Sequence, residues 1–142
     1  MRFWDTSALA PLFVGEATTE QARQLLLEDP GVLVWIGTSV ELVSALARLR
    51  RTSAGAADLL LLARREVLQR WPDWTVISDP ASVTTRAQRL VDVHPLKTLD
   101  ALQLAAALVA SLDRPESLPL VTADRQLATA AELEGFPVVS LG

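Results

Sequence analysis

The chain has no cysteine, which excludes disulfides, thiolate metal ligands and a cysteine nucleophile, and leaves a cytosolic protein as the simplest reading. Histidine occurs once, as His94. It precedes Pro95 in a segment that reads as a loop, so it is expected at the surface and not as a general base. A membrane-spanning run is also missing. The apolar stretch from Ala101 to Leu112 includes Gln103 and falls short of the roughly 20 residues a bilayer requires. At the N-terminus, Asp5 interrupts Arg2-Phe3-Trp4 almost at once, so no secretory apolar region is read there.

What remains is an ordinary globular composition: 142 residues, half of them hydrophobic and 21% charged. A chain of this length fits one domain, expected to span residues 1–142, and buries roughly 68–70% of the surface its unfolded form exposes. The net charge of −4 opposes a nucleic-acid partner, because Lys and Arg contacts to phosphate dominate that affinity. Basic residues cluster at Arg48, Arg50 and Arg51 and again at Arg64, Arg65 and Arg70. One positive face can therefore coexist with an acidic pocket, although a solvated helix face is the ordinary meaning of such clusters.

Arg2 to Trp4 reads as a strand that ends at Asp5 and turns into a helix. A helix is expected from Thr18 to Glu28, stopped by Asp29-Pro30-Gly31. The unalternating run Val32 to Ile36 suits a strand covered on both faces of a parallel sheet. Helices follow over Thr38 to about Arg51 and Ala56 to Arg70, paired as a hairpin. Next come a strand at Trp74–Ile77 and helices at Ala81–Val91 and Leu99–Leu112. A strand at Leu118–Val121, a helix from Arg125 to Glu134 with Gly135 as its stop, and a last strand at Val138-Val139 complete the pattern. Strands alternating with helices predict an α/β sandwich with a mainly parallel sheet, whose sites lie beyond the carboxyl ends of the strands.

Four acids occupy that edge: Asp5 and Asp124 after strands, Glu41 and Asp100 in first turns of helices. Each has a structural explanation of its own. Thr38-Ser39-Val40-Glu41 matches a capping box, Asp124 an N-cap, Asp100 an anion favoured by a helix dipole, and Asp5 a cap for its turn. Brought together in one pocket they would repel one another, each pair at about 4 Å costing on the order of 4 kcal/mol at an effective dielectric near 20. A cation relieves that cost. An oxygen-only donor set favours Mg²⁺ or Mn²⁺ over Zn²⁺.

The motifs carry a resemblance. Asp5-Thr6-Ser7-Ala8-Leu9 resembles the opening of PIN domains, and Ser39-Val40-Glu41-Leu42 through Ala45-Leu46 resembles their second motif. Thr98-Leu99-Asp100-Ala101-Leu102-Gln103-Leu104-Ala105 is similar to the third, and Val121-Thr122-Ala123-Asp124-Arg125-Gln126-Leu127-Ala128 to the fourth. The four follow one another in order along the whole chain. The resemblance, closest to the VapC branch, implies a five-stranded parallel sheet flanked by helices, a homodimer, and a toxin that cleaves RNA and is bound by a cognate antitoxin. It also implies metal-site and catalytic roles for Asp5, Glu41, Asp100 and Asp124, with Thr6, Ser7 and Thr122 as supporting donors. Gln103 departs from the pattern, since many relatives have His there.

The expected chemistry is Mg²⁺-assisted hydrolysis of an RNA phosphodiester by an activated water. Arg48, Arg51 and Arg125 are the candidate phosphate contacts. Two alternatives stay open: a structure-selective DNA or RNA processing nuclease, and a non-catalytic binding protein whose acids are caps. Exposure of the Leu59-Leu60-Leu61-Leu62 run, or of Trp71 and Trp74, would support a binding role, which can coexist with catalysis, whereas core packing is their ordinary explanation.

Overall fold

The computed structural model describes all residues, 1–142. Five strands, β1 (Arg2–Trp4), β2 (Val32–Trp35), β3 (Thr75–Ile77), β4 (Leu120–Thr122) and β5 (Val138–Ser140), form one sheet in the order β3-β2-β1-β4-β5. Every pairing is parallel. Parallel neighbours require crossovers, and seven helices supply them: α1 (Thr6–Leu9), α2 (Thr19–Glu28), α3 (Thr38–Thr52), α4 (Ala57–Arg70), α5 (Pro80–Val93), α6 (Thr98–Ala110) and α7 (Arg125–Leu133). This is the α/β sandwich expected, with parallel pairing throughout.

Strand alternation sends side chains to two cores. Phe3, Leu33 and Leu120 pack beneath α5, α6 and α7, whereas Trp4, Val32, Val34 and Val121 pack beneath α1 to α4. Helix α6 is buried almost throughout, from Gln103 to Leu108, and Ala105, Ala106 and Ala107 let its backbone lie close to its neighbours. The chain leaves β1 towards one face of the sheet and leaves β4 towards the other. Neighbouring strands that diverge in this way open a crevice beyond their carboxyl ends.

Most helix limits follow local chemistry. Gly135 has φ +101°, a left-handed conformation that glycine adopts without penalty, and it stops α7 as its sequence position predicts. Helix α6 ends two residues before the expected Leu112. Leu112 and Asp113 turn left-handed at φ 53° and 56°, and the forked Arg86 guanidinium holds the Asp113 carboxylate. His94 is not at the surface, contrary to the expectation drawn from Pro95. It is buried at 7% exposure, with Nε2 2.7 Å from a carboxylate oxygen of Glu134, which also receives both terminal nitrogens of Arg89. No helix is long and apolar enough to cross a membrane.

Candidate active site

Asp5, Glu41, Asp100 and Asp124 all line one cavity of about 670 Å³ at the β1/β4 crevice. They arrive from four elements: the end of β1, the first turns of α3 and α6, and the residue that starts α7. None of the four is in a salt bridge, although six ion pairs of arginine or the N-terminus and a His94–Glu134 contact occur elsewhere in the molecule. No basic side chain of this chain thus comes within ion-pair distance of the acids facing the cavity, although Arg48 shares its lining.

Asp5 is the most deeply placed, at 4% exposure. Its Oδ2 accepts from the Ser7 hydroxyl, from the Thr122 hydroxyl at 2.9 Å and from the Ser7 amide at 3.2 Å. The Ala123 amide donates to Ser7 Oγ and the Asp124 amide to Thr122 Oγ1, so the turns after β1 and β4 are tied together. Burial pushes the Asp5 carboxyl above its ordinary range, and the Ser7 and Thr122 hydrogen bonds oppose the rise. Ser7 and Thr122 thus both donate to the same oxygen of Asp5.

Glu41 is no capping-box residue. Gly37, not Thr38, precedes the first turn of α3, and no side chain caps it. The Glu41 carboxylate instead accepts from the Thr6 hydroxyl at 2.9 Å and from Gln103 Nε2 at 3.3 Å. Gln103, buried at 1% exposure, also donates from Nε2 to Thr6 Oγ1 and Thr38 Oγ1, both at 3.0 Å. Two N–H groups shared among three acceptors leave at least one of the bonds weak. The two shorter contacts take precedence, and Gln103 reaches Glu41 chiefly through the Thr6 hydroxyl. Its own Oε1 is buried without a partner. Burial raises the Glu41 pKa, the Thr6 and Gln103 bonds lower it, and the charges of Asp5 and Asp100 raise it further.

Asp100 accepts no hydrogen bond from a side chain. Burial pushes it up to about 6, helped by the charges of Asp124 and Asp5 and opposed by Lys97. Asp124 does cap α7, its Oδ1 accepting from the Leu127 amide at 2.8 Å. That bond occupies one carboxylate oxygen and leaves the other for the cavity.

The acids feel one another, yet no three Asp, Glu or His side chains stand close enough to hold a metal ion by themselves. These observations differ because charge repulsion reaches further than a coordination bond. Mg²⁺ keeps several waters and usually takes one or two carboxylates plus phosphate oxygens. An unpaired, oxygen-only, mutually repelling donor set fits such a hydrated hard cation better than it fits a dehydrated all-protein cage.

The arginines separate. Val40, Glu41, Ser44, Ala45 and Arg48 present one face of α3 to the cavity, as spacings of three and four dictate. Arg125 lines a neighbouring hollow that also includes Asp124. Arg51 lines neither; it lies ten residues past Glu41, about 15 Å along the helix. Trp35, at the end of β2, lines the cavity and went unnoticed in the sequence, where it reads as one more apolar residue of a buried strand.

Fold and site together define a parallel α/β protein with an acidic cavity at the point where its strand connections diverge. The chain belongs to the PIN-domain family, whose model matches residues 2–133. PIN domains are generally nucleases and generally use divalent metals. No curated protein matches the sequence significantly. Among solved structures, the fold is similar to a chain of a toxin–antitoxin complex from Klebsiella pneumoniae, with a TM-score of 0.68 and 22% identity over 99% of this chain and 97% of that one.

Proposed function

We propose that the protein is a Mg²⁺-dependent endoribonuclease, with Mn²⁺ as a workable substitute, and the toxin of a toxin–antitoxin pair. In this reading it acts in the cytoplasm as one domain spanning residues 1–142. The observation that carries the reading is the convergence of four carboxylates from four elements on one cavity without a salt bridge to any of them. Caps alone do not account for it. Glu41 caps nothing, and Asp100 makes no hydrogen bond from its side chain.

A hydrated divalent cation held among Asp5, Glu41, Asp100 and Asp124, partly through its waters, would supply positive charge at the scissile phosphate and acidify a water. The protein's own residues prepare for this. Ser7 and Thr122 fix the Asp5 carboxylate, and Thr6, steadied by Gln103, fixes Glu41. Arg48, seven residues from Glu41 on the same helix face, is positioned to bind a backbone phosphate. Arg125 serves the strand beyond Asp124, and Arg51 is a weaker candidate on position alone. His94, engaged with Glu134, takes no part.

The toxin assignment draws support from the likeness to a chain of a toxin–antitoxin complex. An antitoxin partner and a homodimer belong to the same reading. Leu59, Leu61 and Leu62 are 70%, 49% and 55% exposed on α4, neighbouring apolar side chains of the kind a partner covers. Single-turnover cleavage of matched RNA and DNA hairpins tests the substrate. The proposal expects the RNA to be cut and the DNA spared; equal cutting would favour a structure-selective processing nuclease.

A further inference from the structure

The cavity is larger than the carboxylates require, and one wall is apolar: Trp35, Leu99, Leu102 and Val40 stand beside the acids. Val40 and Leu99 are 71% and 55% exposed at its rim. Of the four tryptophans, Trp4 is fully buried, while Trp71 and Trp74 pack against each other and Trp74 against Phe13. Trp35 is half-buried, lines the cavity and has no aromatic partner.

Its ring is held in place by an absence. Gly37 has φ −67° and ψ −18°, an ordinary conformation open to any residue, so its backbone does not call for glycine. A Ser or Asp would cap α3 better. A Cβ there, however, would stand 2.6 Å from the indole Nε1 and 2.9 Å from Cδ1. Glycine at position 37 lets the indole edge lie directly against the backbone at the entrance to α3, four residues before Glu41.

Resting on the nuclease reading, we propose that Trp35 is a stacking platform for an unpaired nucleobase of the RNA next to the phosphate held at the carboxylates. Every base has a π face, so a platform of this kind accepts different sequences but requires an unstacked nucleotide. The neighbouring Leu99 and Val40 exclude water from the base edge. Arg48, on the α3 side of the same cavity, takes the adjoining phosphate. Selection of single-stranded segments over duplex follows from the pocket itself, because a paired base cannot present its face to the indole.

The test is the affinity of short single-stranded RNAs for the Asp100→Asn protein, followed by fluorescence anisotropy in Mg²⁺. The RNAs are intact or carry an abasic nucleotide at successive positions. Trp35→Leu should weaken binding of intact RNA about 10- to 100-fold, and Trp35→Phe by less. An abasic nucleotide at one position should weaken the parent to a similar degree and cost nothing further in Trp35→Leu. Gly37→Ala, which displaces the ring, should weaken binding only while Trp35 is present. Thermal melting shows that each variant is folded.

Unchanged affinity in a folded Trp35→Leu protein overturns the proposal. So does a loss equal for intact and abasic RNA, the signature of a structural role, or a parent that binds no RNA. Cleavage by the unsubstituted protein distinguishes the two claims. Cutting that is independent of Trp35 removes the platform and keeps the nuclease. Base-dependent binding without cutting keeps the platform and removes the nuclease.

Discussion

Asp100 has the clearest electrostatic signature of the four acids. Its pKa of about 6 in the fold lies above the ordinary 3.8, so folding favours the protonated carboxyl. The associated stability is present in full below about pH 4 and is lost as the pH rises through 6. Asp5 and Glu41 are raised in the same direction. In metal-free protein at pH 8, Asp100→Asn should therefore raise stability by about 1 kcal/mol, a modest figure because solvent screens a half-exposed carboxylate. Melting curves should show a gain of roughly 3 °C that disappears at pH 4; a gain that is larger in acid would contradict the assignment. Gln103 yields a complementary expectation. Gln103→Leu removes donors to Thr6 and Thr38 but also removes a buried oxygen without a partner. Stability should change by less than about 1 kcal/mol, while RNA cleavage falls about 10- to 100-fold as Glu41 loses its support. Unchanged cleavage would make Gln103 a packing residue. Such roles are poorly legible in sequence because they depend on distant partners. Glu41 matched a capping box locally, yet its partners are Thr6 and Gln103, 35 and 62 residues away. His94 reads as a loop residue from Pro95, yet Glu134, 40 residues on, holds it in the interior.

At the scale of elements, α7 separates two roles that coincide in Asp124. The carboxylate caps the helix through the Leu127 amide and also faces the cavity. Asp124→Ala should lower stability by about 1 kcal/mol and abolish cleavage. Asp124→Asn, whose amide oxygen can still accept from Leu127, should abolish cleavage and melt close to the unsubstituted protein. Full activity in Asp124→Asn would reduce the residue to a cap. Helices and strands were legible because their limits depend on neighbours in the chain: Asp29-Pro30-Gly31 stops α2, Gly135 stops α7, and unalternating apolar runs mark strands covered on both faces. The short 3₁₀ turns at Ala10–Leu12, Trp71–Asp73 and Pro115–Ser117 were not foreseen. Proline in the first positions of each favours them, but a single turn leaves no periodicity to read. The strand order was also beyond local reasoning. Placing β1 between β2 and β4 is what joins Asp5 to Thr122, and that pairing spans more than a hundred residues.

Over the whole molecule, a net charge of −4 is compatible with an RNA partner because the deficit is concentrated partly in the cavity, where a cation would offset it. The four motif acids were legible as a group because each sits beside a strand or helix end that the local pattern identifies. The apolar wall beside them was not, since Trp35 looks like core until the sheet is assembled. Assembly leaves a second surface to explain, the leucines of α4. Replacing Leu59 and Leu62 together with Gln should convert a dimer to a monomer in sedimentation velocity and remove the concentration dependence of the melting temperature. A dimer that persists would place the interface elsewhere. The central claim, that the four-carboxylate cavity is a cation-dependent RNA-cleaving centre, is tested most directly by cleavage of a panel of structured RNAs, tRNAs included. Unsubstituted protein and Asp100→Asn are compared with Mg²⁺, with Mn²⁺ and with excess chelator. Cutting that requires either metal and disappears in Asp100→Asn is the predicted result; equal cutting by both proteins, or cutting that survives the chelator, would contradict it.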